Sequence, residues 1–174
     1  MPSLQEKLAE SLEVLRKIQS DEGITAIKAN KISRTHRERL LENGFIREVM
    51  KGWYISSRPG ERPGDTTSWY TSYWNFISDY LNDRFGDEWC LSPEQSISLH
   101  SENRTVPTQI LVRSNRAGNN ITDLLHGTSL LDLSLTIPAK KEIVKKYGVN
   151  IYALPAALIT CSERFFTQSP NEVR

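Results

Sequence analysis

Cysteine is nearly absent from this chain: Cys90 and Cys161 are the only two in 174 residues. That excludes a disulfide framework and any zinc site built mainly from cysteine. With three histidines there are few ways to assemble a metal or triad site. Glycine and proline, at 9 and 8, are too scarce for a fibrous or disordered chain. No run approaches the ~20 apolar residues of a membrane span, so no membrane partner is expected. The opening MPSLQEKLAESLE is no signal peptide. A reduced, cytoplasmic setting fits these absences. Phosphate-binding and dinucleotide fingerprints are missing too, and no cofactor is expected. What is present, 38% hydrophobic and 25% charged residues, is the composition of one globular domain or two small ones.

The net charge of +1 conceals a division along the chain. Residues 1–64 carry 12 Lys+Arg against 9 Asp+Glu; residues 65–103 carry 1 against 7; residues 104–174 carry 9 against 5. Within the first block, residues 28–58 hold 8 basic and 3 acidic side chains. A basic module joined to an acidic one is the expectation, with the basic part as the nucleic-acid candidate.

Leu4, Leu8, Leu12, Leu15 and Ile18 recur at spacings of three and four, the stripe of an amphipathic helix. Ser3 suits its N-cap, and Asp21-Glu22-Gly23 its end. A short segment follows around Ile24, Ile27 and Ile32. Thr35-x-x-Glu38 reads as a capping box opening a helix over 35–43, which Asn43-Gly44 stops. Residues 45–50 and 53–56 then read as a hairpin turning at Lys51-Gly52. Helix, short helix, basic helix and hairpin is the order of a winged helix-turn-helix, placed at 1–58. Two Pro-Gly breaks mark a linker at 59–67.

The remainder, 68–174, reads as α+β. Eight of the 15 aromatics lie between residues 69 and 89, and Trp69, Tyr70, Tyr73, Trp74, Phe76 and Tyr80 fall on one broad helical face. Aromatics at that spacing point to core. Ser92-Pro93-Glu94-Gln95 starts another helix. Strands are expected at 109–112, 123–125, 130–137 and 150–154, with a helical turn at 155–160.

A recognition helix needs basic and polar groups on its first turns, to reach phosphates and base edges. Lys31, Arg34, Thr35, His36 and Arg39 are placed for that role, and Arg47 and Lys51 for phosphate contact by the wing. With Leu40, Leu41 and Gly44 buried, Arg37 turns inward while Glu38 and Glu42 lie outward near Arg39. Carboxylates on a groove face repel phosphate, so a structural or protein-binding winged helix stands beside the DNA-binding one.

The stretch R-T-H-R-E-R-L-L-E-N-G-F-I-R-E-V-M-K-G-W-Y resembles the N-terminal winged helix of AbiEi-type antitoxins and their transcriptional-regulator relatives. W-C-L-S-P-E-Q-S-I-S-L-H, from Trp89 to His100, looks like the segment those proteins carry after the linker. The chain is also similar to the N-terminal region of certain bacterial Fic-family proteins, whose C-terminal part transfers AMP. The resemblance implies a non-catalytic regulatory module: a winged helix that binds DNA, followed by a small AbiEi-like α+β domain. Its alternative is an interaction module restraining a C-terminal Fic domain in cis or a toxin in trans. Arg37 departs from the pattern, where an apolar residue is usual. The Fic signature opening His-Pro-Phe is not found, since His36, His100 and His126 precede Arg, Ser and Gly.

Other constellations carry less. Asp79, Asp83 and Asp87, at i, i+4 and i+8, form an acidic stripe that is either solvated or a surface for a protein partner. Lysine at Asp79 and Asp83 is expected to abolish such contact and spare the fold. Cys90 and Cys161 adjoin apolar residues and read as buried thiols. His100 with Ser92 or Ser98 lacks a nucleophile elbow and a partner acid. Ser169-Pro170-Asn171-Glu172 repeats the chemistry of a helix start. The expectation is that the natural protein continues there as a helix, into a Fic-type domain, with Phe165-Phe166 anchoring the edge of this one.

Overall fold

A computed structural model of the chain describes residues 1–168. The helix start expected at Ser169–Glu172 lies outside the described residues. The chain is α+β and divides into two compact units, Met1–Asp79 and Tyr80 onward. No helix among the described residues is long and apolar enough to cross a membrane.

In the first unit, helix α1 (Leu4–Glu22) starts as its sequence dictates. Ser3 Oγ accepts from the Glu6 amide and the Glu6 carboxylate accepts from the Ser3 amide. This reciprocal cap removes two of the exposed N–H groups of the first turn. Gly23, at φ +60°, ends the helix in the left-handed conformation. Strand β1 (Ile27–Lys28) leads into a single 3-10 turn at Ala29–Lys31, then helix α2 (Arg34–Glu42). Strands β2 (Ile46–Met50) and β3 (Trp53–Ser56) form the expected hairpin, and β1 adds to β3 in an antiparallel sheet ordered β1-β3-β2. The apolar stripe of α1 is inserted here through Leu15, which joins Ile27, Ile32, Leu40, Ile46 and Tyr54 in one core. Ile27 and Leu40 are fully buried, each contributing about 1.5–3 kcal/mol relative to exposure.

The stretch expected as a linker is tied down. Arg58–Glu61 and Arg62–Asp65 each close a turn, with the Glu61 amide donating to the Arg58 carbonyl (3.2 Å) and the Asp65 amide to the Arg62 carbonyl (2.9 Å). Glu61 then accepts from the Arg58 amide (3.2 Å) and from the Ser68 hydroxyl, and pairs with Arg47 on β2. Pro-Gly composition correctly reported the two turns; it carries no information about a carboxylate that anchors them. Helix α3 (Thr67–Phe85) begins beyond it. Its Trp69 meets Tyr73 and Phe76 edge-on at 5.2 and 5.4 Å, and Phe76 meets Trp53 of β3 at 6.3 Å. The start of α3 therefore belongs to the first unit, and the division falls at Asp79 rather than at 59–67. The aromatic face is core as expected, with Trp69, Tyr73 and Phe76 fully buried; Tyr70 is the exception, at 47% exposure.

The second unit holds a mixed sheet ordered β4-β5-β7-β6, built from β4 (Cys90–Leu91), β5 (Gln109–Ser114), β6 (Ile121–Asp123) and β7 (Ser129–Ser134). β5 and β7 are parallel, and the outer pairs are antiparallel. Helix α4 (Pro93–His100) starts where expected, with Ser92 Oγ accepting from the Gln95 amide at 3.2 Å. A hairpin of β8 (Ile143–Lys146) and β9 (Val149–Tyr152) follows, then α5 (Leu154–Thr160) and α6 (Glu163–Gln168). The strand expected at 123–125 lies earlier, because Leu125–Gly127 turns as a 3-10 segment. That expected over 130–137 ends at Ser134. Phe165 packs on a core of Cys90, Ile97, Tyr152 and Ala157, and Phe166 is half-buried beside it.

One buried carboxylate organises the middle of this unit. Asp132, fully buried on β7, accepts the Gly118 and Asn120 amides on Oδ1 at 2.9 and 3.2 Å. Its Oδ2 lies 2.6 Å from Nη1 of Arg84, an attraction of charges without the alignment of a hydrogen bond.

Candidate nucleic-acid interface

Helix α2 is capped two residues earlier than its sequence suggests. Ser33, not Thr35, is the N-cap, its Oγ accepting from the His36 amide at 3.4 Å. Thr35 is already helical and exposed, and Glu38 is released from the expected capping box to pair with Arg34 at 2.6 Å. Both partners of this pair are open to water, at 82% and 51% exposure. An ion pair so placed contributes little, about 0–1 kcal/mol, so Arg34 is cheaply redirected to another anion.

Arg39 departs from expectation. It turns against α1 instead of outward, its Nη1 donating to the Lys7 carbonyl at 2.7 Å and to Ser11 Oγ at 2.8 Å. His36 turns the same way, with Nδ1 2.9 Å from the same Ser11 oxygen. Ser11 is fully buried, and these two contacts make it the polar joint between the helices. A four-atom stem lets an arginine reach across a helix pair, which residue spacing does not reveal.

Arg37 is turned inward, as expected. Its Nη1 donates to the Ala29 carbonyl at 2.9 Å, and its guanidinium lies over the Tyr54 ring at 5.9 Å. Arg37 thus satisfies a carbonyl of the preceding 3-10 turn while its guanidinium lies over a ring of β3.

Arg47, expected on phosphate, is held inside the first unit. Its Nη2 lies 3.4 Å from the Glu61 carboxylate, and its Nη1 donates to the Asp65 carbonyl at 3.3 Å. Glu61 is only 8% exposed, so the pair is sheltered from solvent screening. Lys31 and Lys51 are exposed, Lys51 at the hairpin turn that Gly52 closes at φ +82°. Of the seven proposed contact residues, the outward set is Lys31, Arg34, Thr35 and Lys51; His36, Arg39 and Arg47 hold the unit together.

The acidic stripe does not exist as one surface. Asp79 Oδ2 accepts the backbone amides of Thr25 and Ala26 at 2.7 and 3.0 Å, fixing the entry to β1. Burial pushes its carboxyl above the ordinary value against those two amides, which lower it. Asp83 remains exposed on α3. Asp87 lies past the helix end, where Gly86 at φ +61° has already turned the chain. Lysine at Asp79 removes the acceptor of the Thr25 and Ala26 amides, so this substitution is expected to disturb the fold rather than spare it.

Elsewhere the reactive side chains serve structure. Burial raises the Cys90 thiol to about 12 and the Cys161 thiol to about 11, far from the thiolate range. His100 Nε2 lies 2.8 Å from the Tyr152 carbonyl, and Ser92 is a helix cap. Among the described residues no group of three or more His, Cys, Asp or Glu is arranged to hold a metal. Compared with known proteins, the chain matches no family model, no curated protein and no solved structure.

Proposed function

We propose that the first unit is a winged helix-turn-helix that binds DNA, and that the chain acts as a non-catalytic, antitoxin-like transcriptional regulator. The observation that supports this most is topological. Helix α2 directly precedes a hairpin whose strands join β1 in the order β1-β3-β2, with the 3-10 turn at Ala29–Lys31 standing where a winged helix places its middle helix. Under this reading α2 enters the major groove by its first turn, presenting Lys31, Arg34 and Thr35, while Lys51 follows the backbone from the wing. Arg34 leaves Glu38 for a phosphate or a guanine edge. Fluorescence anisotropy with duplexes from upstream of the parent gene tests the reading. Binding that weakens steeply between low and moderate salt supports it; no binding at micromolar protein and low salt removes it.

A second reading rests on a different observation. Leu4, Leu8, Thr35, Glu38, Arg39 and Glu42 line a groove of about 280 Å³ between α1 and α2. Leu4 is 83% exposed there, beside the carboxylates of Glu38 and Glu42. An apolar floor with an acidic rim suits a basic, amphipathic protein segment better than a phosphate backbone. This is the protein-interaction function, directed at a toxin or a Fic-type domain. Leu4→Asp with Leu8→Asp separates the two readings, since it ends such an association and leaves DNA affinity unchanged.

A further inference from the structure

In the second unit, Arg113 and Glu142 line one cavity of about 290 Å³ together with Ile137, Pro138, Tyr152 and Ile159. Arg113 is set on β5 opposite Cys90 of β4. Its Nη1 donates to Tyr152 Oη at 3.0 Å, and its guanidinium lies over the Tyr152 ring at 5.8 Å. These contacts fix the group but leave its charge unanswered: among the described residues no carboxylate comes within 4.0 Å, and its Nε is buried with no hydrogen-bond partner. A guanidinium stays charged at any working pH, so an unpaired one at a cavity wall is a standing demand for an anion.

Glu142 presents the opposite demand. Its backbone is pinned on both sides, the amide donating to the Ala139 carbonyl and the carbonyl accepting from the Ala153 amide, each at 2.7 Å. Its carboxylate has neither hydrogen bond nor ion pair among the described residues. Two residues of opposite charge therefore line one cavity without an ion pair between them, beside an apolar wall of Ile137, Pro138 and Ile159. We propose that this cavity binds a small zwitterion, an aliphatic α-amino acid. The carboxylate meets Arg113, the ammonium meets Glu142, and the side chain lies along the apolar wall. A simple anion would face Glu142, and a simple cation Arg113; only a ligand bearing both charges satisfies both. At about 290 Å³ the cavity lies just under the ~300–1,000 Å³ range of ligand pockets, which suits a ligand of amino-acid size.

The test is isothermal titration and amide chemical-shift mapping of the full chain with L-leucine, 4-methylpentanoate and 3-methylbutylamine. Saturable leucine binding is expected, with each analogue lacking one charge at least about tenfold weaker. Arg113→Met and Glu142→Gln are each expected to weaken leucine by a similar factor. Glu142→Gln changes a half-exposed group whose side chain bonds nothing, so it decides the matter even if Arg113→Met does not fold. No saturable binding of leucine, isoleucine, valine or methionine at millimolar concentration overturns the proposal. So does binding that Glu142→Gln leaves intact, or 4-methylpentanoate binding as tightly as leucine. The outcome is independent of whether the first unit binds DNA.

Discussion

Arg39 on α2 donates through Nη1 to the buried hydroxyl of Ser11 on α1 at 2.8 Å. A cation that sequence spacing assigns to an outer face is thus spent on joining two helices. Ser11→Ala leaves Nδ1 of His36 facing a methyl group and Nη1 of Arg39 with the Lys7 carbonyl alone. A loss of about 1–3 kcal/mol in urea unfolding is expected, the cost of stranding sheltered polar groups. Arg39→Met is expected to lower stability similarly without changing the salt dependence of any DNA binding. A shallower salt dependence in that variant would mean that Arg39 reaches phosphate after all.

Asp79 makes a pH-dependent contribution whose sign follows from its shift. Burial raises its carboxyl above the ordinary value, so the folded chain binds this proton more readily than the unfolded chain does. Stability from this site is therefore greatest below the unfolded value and declines as pH rises through the raised one. Asp79→Asn keeps an acceptor for Thr25 and Ala26 and carries no charge to desolvate. It is expected to equal or exceed the parent in stability at pH 7, with the gain closing as the pH falls into the acid range. Asp79→Ala, which strands both amides, is expected to cost about 1–3 kcal/mol. Unfolding curves at neutral and acid pH check both, and a gain for Asn that widens on acidification would reverse the assigned sign.

Arg47 and Glu61 hold the 59–67 stretch to β2. Arg47→Ala leaves a buried carboxylate without its cation, and a loss on the order of 2 kcal/mol is expected. The same change frees a segment containing the Glu61–Arg62 bond, a site for a glutamyl endopeptidase. Limited digestion with a glutamyl endopeptidase should cut there markedly faster in Arg47→Ala than in the parent. Equal cleavage rates would show that the tether does not restrain the segment.

In the second unit, Arg84→Met removes the cation 2.6 Å from a fully buried carboxylate. About 3–5 kcal/mol of stability should be lost. Adding Asp132→Asn should restore part of it, because the asparagine oxygen still accepts from Gly118 and Asn120 and no charge is left unpaired. A double variant as unstable as the sum of the two single ones would contradict this coupling.

What the sequence made legible was local. Ser3 and Ser92 as caps, Gly23 and Gly44 as stops, the hairpin at Lys51-Gly52 and the buried aromatic face of α3 all follow from a few neighbouring residues. The short strands β4 and β8 did not. Cys90–Leu91 has only two paired residues, and Lys145-Lys146 hides β8, which exists because β9 lies alongside. Helix α2 and the β2–β3 hairpin were legible as elements, but the partners of their side chains were not. Arg39, Arg47 and Asp79 each find partners 18 to 54 positions away, and no periodicity encodes a contact of that range.

The central claim, that α2 and the wing contact phosphate through Arg34 and Lys51, is tested most directly by the slope of log affinity against log salt. The measurement compares the parent with Arg34→Gln, Lys51→Gln and the double variant on an upstream duplex. Each lost phosphate contact should reduce the slope by about 0.9, and the double variant by about twice that, with folding unchanged at these exposed positions. A parent that binds with the same slope as the double variant would contradict the account.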